Sequence, residues 1–217
     1  MNYLKLPLLV CTVLLIAHCT PKVAEQTASS ETKEQTISPP PKEDVELSPC
    51  PKFQDAPYPG EAENNYVIYR DFLKVGDMEK AYELWQKVYE VAPAADGRRN
   101  TVYSDGIRFY EYFMSQTTDS LEREKYVEKI FAIYDEILEC YPEGGYVPAR
   151  KGFDYYYKYP NRKSKEEIYN LFKIAIDTDR DKTNDFVVNP MAALLVEMHQ
   201  SGKISTEEAQ RYDKVLR

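Results

Sequence analysis

His199 is the only histidine beyond residue 18, so a two-histidine metal site or a histidine-driven nucleophile would have to be built on that single ring. The chain has no Gly-x-Ser-x-Gly, no glycine-rich phosphate loop and no Cys-x-x-Cys. Carboxylate pairs such as Asp179 with Asp181, or Glu207 with Glu208, have the residue types for acid–base chemistry. In a chain of net charge −8 such pairs recur everywhere and read as solvated helix surface. Residues 177–185, DTDRDKTND, have the acidic spacing of a calcium loop but lack its turn glycine and closing glutamate. The expectation is therefore no enzyme, no metal and no cofactor, and the chemistry that remains is recognition. Arg70 and Lys74, one helical turn apart, could receive a carboxylate. Tyrosine, with 19 copies, offers rigid contact area with a polar tip. Cys50 and Cys140 can pair in an oxidising compartment; the other reading leaves Cys140 as a small apolar residue at a helix end and Cys50 as a free thiol.

Glycine and aromatic spacing indicate the elements that must position these groups. Residues 62–93, AENNYVIYRDFLKVGDMEKAYELWQKVYEVAP, divide into two helices about Gly76-Asp77. Ala81 lets them approach closely, Trp85 fills the adjacent space, and Pro93 ends the second helix. DGIRFYEYF (105–113) and KGFDYYYKY (151–159) match in glycine position and aromatic spacing, as two copies of one helix would. Capping chemistry then places their partners: Ser120 opens one helix and Ser164-Lys165-Glu166-Glu167 another, as a capping box. Asn189-Pro190 opens a helix through Met198, Gly202 closes it, and Ser205 caps the last. No segment alternates with period two for long enough to form a strand. The fold class read from these signals is all-α, in about four helix pairs.

Counted from Ala62, the residues Phe72, Gly76, Ala81, Trp85 and Pro93 fall where a tetratricopeptide (TPR) repeat has an aromatic, a turn glycine, an alanine, an aromatic and a proline. The segment resembles that family, departing from it at Asn65 and Tyr69. The folded part as a whole also looks like exported TPR lipoproteins of the Bacteroidota, most of them uncharacterised. The resemblance implies a right-handed α-solenoid of antiparallel helix pairs, acting as a non-enzymatic scaffold for a peptide or protein partner in a cell-envelope assembly. It further implies that the first helix of each pair lines a concave groove. The groove positions are then Tyr66, Arg70, Lys74, Tyr103, Tyr110, Tyr146, Phe153, Tyr156 and Tyr157. A second function class, a carbohydrate-binding or carbohydrate-processing accessory protein, is suggested by the export signal and the aromatic load.

The N-terminus bears on compartment. Lys5, the apolar run from Leu6 to Ala17, and Cys19 have the layout of a secretory signal over residues 1–18, too short to span a bilayer. Leu15-Ile16-Ala17-His18-Cys19 resembles the bacterial lipobox apart from His18, and implies Cys19 as the lipidated first residue and an outer-membrane anchor, facing the periplasm or the cell surface. Ordinary cleavage nearby would instead release a soluble exported chain. Residues 19–60 read as a disordered linker, polar and proline-bearing through Asp44, and 61–217 as the helical domain. The acidic balance argues against nucleic acid as a partner; the expected attachments are a protein or peptide ligand and the membrane through lipid.

Overall fold

The computed structural model describes residues 48–217, so the segment expected to be a signal, Cys19, and the expected linker as far as residue 47 lie outside the described residues. Within them the chain is all-helical: α1 (Pro59–Val75), α2 (Met78–Val91), α3 (Thr101–Gln116), α4 (Ser120–Cys140), α5 (Tyr146–Phe153), α6 (Lys165–Asp179), α7 (Val188–Gln200) and α8 (Thr206–Leu216). The helices pack as neighbours in sequence, α1 with α2, α3 with α4, α5 with α6 and α7 with α8. Further contacts join each pair to the next, through α2 and α3, α4 and α5, and α6 and α7. Each pair exposes an apolar face that only the adjoining pair covers, so stability passes from neighbour to neighbour along the stack.

Turn and cap chemistry explains most boundaries. Gly76 ends α1 at φ +82°, a left-handed conformation that a side chain disfavours. Its N–H donates to the Leu73 carbonyl and that of Asp77 to Phe72. Asp77 then caps α2 by accepting from the Lys80 N–H. The capping box of Ser164 with Glu167 opens α6, and the Ser205 hydroxyl accepts from the Glu208 N–H at the start of α8. Two starts differ from the sequence expectation. Asp119, not Ser120, caps α4, because its carboxylate reaches the N–H groups of both Leu121 and Glu122 while Ser120 is already helical. α7 starts at Val188, which puts Asn189 inside the helix; Pro190 is tolerated there because first-turn N–H groups have no helical acceptor to lose. That helix also runs two residues past Met198, to Gln200.

The folded part begins earlier than residue 61, which corrects the linker boundary. Cys50 is disulfide-bonded to Cys140 at the end of α4, with Cα atoms 5.5 Å apart. Phe53–Asp55 make a 3₁₀ turn. The Phe53 N–H donates to the Ala95 carbonyl at 2.9 Å, and the Ala94 N–H to Pro51 at 3.0 Å. Ala56 is buried against Ala62 and Ala92. Small side chains here let an extended strap lie flat on the α2–α3 loop.

Trp85 is the centre of the first junction. Its ring is 1 % exposed, stacks between Tyr82 and Tyr89 with centroids 5.5 and 4.7 Å away, and donates its N–H to the Val102 carbonyl at 2.7 Å. Gly106 makes this possible. A Cβ there would lie 2.5 Å from the Trp85 ring and 2.8 Å from Ile133, so only glycine lets α3 sit down on α2 and α4 together.

Every junction between successive pairs also carries a tyrosine hydroxyl donating to a carboxylate. Tyr69 donates to Asp105 (3.0 Å) and Tyr89 to Glu136 (2.5 Å) between the first two pairs. Tyr134 donates to Asp154 (2.8 Å) at the next, and Tyr169 to Glu208 (3.1 Å) and Tyr212 to Asp177 (2.8 Å) at the last. A phenol fills a wide helix–helix gap but must spend its O–H once buried, and a carboxylate is the strongest acceptor available. The tyrosine load and the acidic excess thus share a structural cause. Burial first, and then the partner carboxylate, pushes each of these five phenols above its ordinary value of 10.0. A raised pKa in the folded state means the stabilisation is complete below pH 10 and is lost as pH rises through the folded values. Phenolate absorbance and helicity should therefore change together in an alkaline titration, well above pH 10. Ordinary titration of these phenols with helicity intact would contradict the junction assignment.

Candidate functional site

The first helices of the second and third pairs, α3 and α5, frame the candidate site. Gly106 orders α3. Tyr103 and Tyr110, three residues before and four after it, share its face and are drawn into the core, 1 % and 9 % exposed. Both are removed from the groove positions expected from the sequence. Arg70 is also not a free receptor: its guanidinium lies 2.6 Å from the buried Asp105 carboxylate, which Tyr69 also holds. Burial works against the Arg70 charge, and the hydrogen bond and charge of Asp105 outweigh it, so its pKa is raised. Lys74 is exposed and pairs with Asp71 at 2.8 Å. The two cations thus have separate carboxylates within the fold, and Tyr66 packs half-buried against Phe53 and Tyr69.

The other four expected residues do come together. α5 loosens after Phe153 into a π-helical turn, Asp154–Lys158. Such turns interrupt the regular helical register and re-aim side chains, often at functional sites. Tyr155 goes inward to stack on Phe131 at 3.8 Å, Tyr156 stays half-buried, and Tyr157 is 51 % exposed. Phe153 contacts Tyr157 (4.7 Å) and Phe186 (5.5 Å), and Phe186 in turn meets Tyr146 (6.1 Å), itself 54 % exposed. The result is an aromatic patch at the outer surface of α5. Phe186, in the short 3₁₀ turn Asp185–Val187, had no sequence signal, since it stands in an acidic stretch with no periodicity. That stretch serves the fold: Asp179 accepts from the Gly145 N–H at 2.8 Å, and Asp177 holds both Arg211 and Tyr212.

Beside the patch is a cavity of about 210 Å³ between α3, α4 and α5. Ile107, Ile137 and Val147 supply its apolar lining, with Tyr134 and Tyr146; Asn100, Ser104, Arg108, Glu111 and Arg150 supply the polar atoms. Arg150 also lies over the Phe153 ring at 5.3 Å, which joins cavity and patch. Behind it is Asp154, 0 % exposed. One Asp154 oxygen accepts from Tyr134; the other lies 3.3 Å from Lys158 and 3.8 Å from Arg150, with no hydrogen bond among the described residues. Burial lowers the Arg150 pKa and Asp154, followed by the Tyr134 and Tyr146 phenols, raises it by more, so the guanidinium stays charged. Glu111 pairs with Lys158 at 2.6 Å. Arg108 and Arg150 sit two residues after Gly106 and two before Gly152; that symmetry about the glycines was the available sequence signal.

This geometry defines an all-α protein of consecutive helix pairs with an aromatic and cationic surface on the first helices. No protein-family model matches the chain, nor does a curated protein or a solved structure. Among the described residues no helix is long and apolar enough to cross a membrane, and no cluster of three His, Cys, Asp or Glu stands ready for a metal.

Proposed function

We propose that this chain is a non-enzymatic TPR-type scaffold, a lipoprotein anchored through Cys19 in the cell envelope, that binds a peptide or protein partner across the face of α3 and α5. The observation that carries the reading is the patch of Tyr146, Phe153, Tyr157 and Phe186 running into a cavity with two arginines. Most other large aromatics are taken up in packing, whereas Tyr146 and Tyr157 present half their surface to solvent. Aromatic and arginine side chains grouped in this way are the commonest anchors of protein interfaces. The Cys50–Cys140 disulfide fits an oxidising compartment, as the signal-like N-terminus does.

A photo-crosslinking residue placed at Tyr157 in native cells should yield a discrete protein adduct. The same residue at Ile174 on α6, equally exposed at 53 %, should not. Tyr146→Ala with Tyr157→Ala should weaken capture at least about tenfold, the loss of one moderate anchor or more, with little change in melting temperature. Adducts at both positions alike, or none at either, would remove the scaffold reading; adducts that prove to be glycan would favour the carbohydrate-binding class.

A further inference from the structure

We infer that the proline run Pro39-Pro40-Pro41 of this same chain docks as a polyproline II segment on the aromatic patch of Tyr146, Phe153, Tyr157 and Phe186, and holds that surface until a partner displaces it. The inference takes its surface from the scaffold reading, rests on it, and adds a regulation to it. Three observations carry it.

The first is reach. The disulfide fixes the point from which the preceding residues leave the folded part, since the Cα of Cys50 lies 5.5 Å from that of Cys140. Tyr146 follows Cys140 by six residues, so their Cα atoms are within about 21 Å even at full extension. Pro41 precedes Cys50 by nine residues, which span about 28 Å at the polyproline II rise and bring the run to Tyr146. The second is the match of shape. From Tyr146 to Tyr157 is eleven residues of α5 and its π-helical turn, about 16 Å at the helical rise. The five residues Ile37 to Pro41 cover the same length, about 16 Å, as polyproline II. Phe186 stands edge-on to both Tyr146 and Phe153, at 89° and 85°, and rings crossed in this way leave slots that proline rings fill. A polyproline II segment has no internal hydrogen bonds, so its carbonyls can accept from the Tyr146 and Tyr157 hydroxyls, neither of which has an acceptor among the described residues. The third is charge. Between the run and the disulfide come Glu43, Asp44 and Glu46. Arg98 and Arg99 are exposed in the α2–α3 loop without an ion-pair partner among the described residues. The Tyr141 hydroxyl, next to Cys140, donates to the Arg99 carbonyl at 3.1 Å, so these cations stand at the corner that the acidic stretch must pass.

The experiment places a photo-crosslinking residue at Tyr146 of the whole chain, purified with its disulfide intact. An internal adduct is expected, mapped by mass spectrometry to residues 37–41, with no dimer on a denaturing gel; the same residue at Ile174 should give none. Replacing all three prolines, Pro39→Ser, Pro40→Ser and Pro41→Ser, should remove the adduct at an unchanged melting temperature. The second arm titrates acetyl-Ile-Ser-Pro-Pro-Pro-Lys amide into fluorotyrosine-labelled chains and follows the Tyr146 and Tyr157 resonances. The peptide should bind the triple-serine variant saturably and the parent at least about threefold more weakly, because the attached run competes at a millimolar effective concentration. Tyr146→Ala with Tyr157→Ala in the triple-serine variant should abolish binding. Equal affinity for parent and variant, or an adduct outside residues 37–41, would overturn the docking. A dimer in place of the internal adduct would put the run of a second copy on the patch and overturn its assignment to the same chain. If no internal adduct forms while cellular adducts at Tyr157 persist, the docking falls and the scaffold reading stands. An internal adduct without cellular ones would leave the run on the patch and overturn the regulation; if neither forms, both readings fall.

Discussion

Replacing Trp85 by alanine is expected to lower stability by about 3–5 kcal/mol, the range for deleting a buried large aromatic. The upper part of that range applies because the vacated space is hard to refill. The indole lies against Gly106, which has no side chain to move inward, and against Tyr82 and Tyr89, whose stacking depends on it. The Val102 carbonyl also loses its 2.7 Å donor. Trp85→Phe keeps much of the volume but not the N–H, and should cost clearly less. Urea melts followed by far-UV circular dichroism are the appropriate measurement, since Trp85 is the only tryptophan and fluorescence vanishes with it. A loss below about 1 kcal/mol would take Trp85 out of the core, and with it the close docking of α3 on α2.

The second large effect is the disulfide. Cys50 and Cys140 are 90 residues apart, and closing a loop of that length removes about 4.6 kcal/mol of conformational entropy from the unfolded chain. Cys50→Ser and reduction of the parent should converge on one destabilised state, weaker by about 2–4 kcal/mol. Local consequences should be visible too. Without the bond the strap before α1 depends on its two backbone hydrogen bonds to the α2–α3 loop, so the Phe53 and Ala94 amides should lose exchange protection more than those of α6. Cys140→Ser has a further cost, because the Tyr103 hydroxyl rests 3.3 Å from that sulfur. If reduction leaves both the melt and these amides unchanged, the strap is held by its hydrogen bonds and packing without help from the disulfide.

Much of the architecture could be read from residue types because the deciding forces were local. A left-handed turn needs glycine, which located Gly76; a capping box needs Ser and Glu three apart, which located α6; and period-3.6 apolar spacing with no period-2 run gave an all-α chain. Where two residues offered the same local chemistry, the chain used the one with better reach, as Asp119 did over Ser120. The groove list was only partly legible. Sequence spacing places a tyrosine on a helix face but does not say what covers that face. The missing side chain at Gly106 pulled Tyr103 and Tyr110 into the core, while the π-helical turn after Phe153 left Tyr157 outside. Arg70 looked like a receptor beside Lys74 until Asp105, 35 residues on, arrived beside it. Helix type, turns and caps depend on neighbours within a few positions, and the sequence alone determined them. Which tyrosines are mortar and which are surface, which arginines keep their donors, and that Cys50 meets Cys140 depend on contacts across tens of residues, and only the packing of one pair on the next decided them.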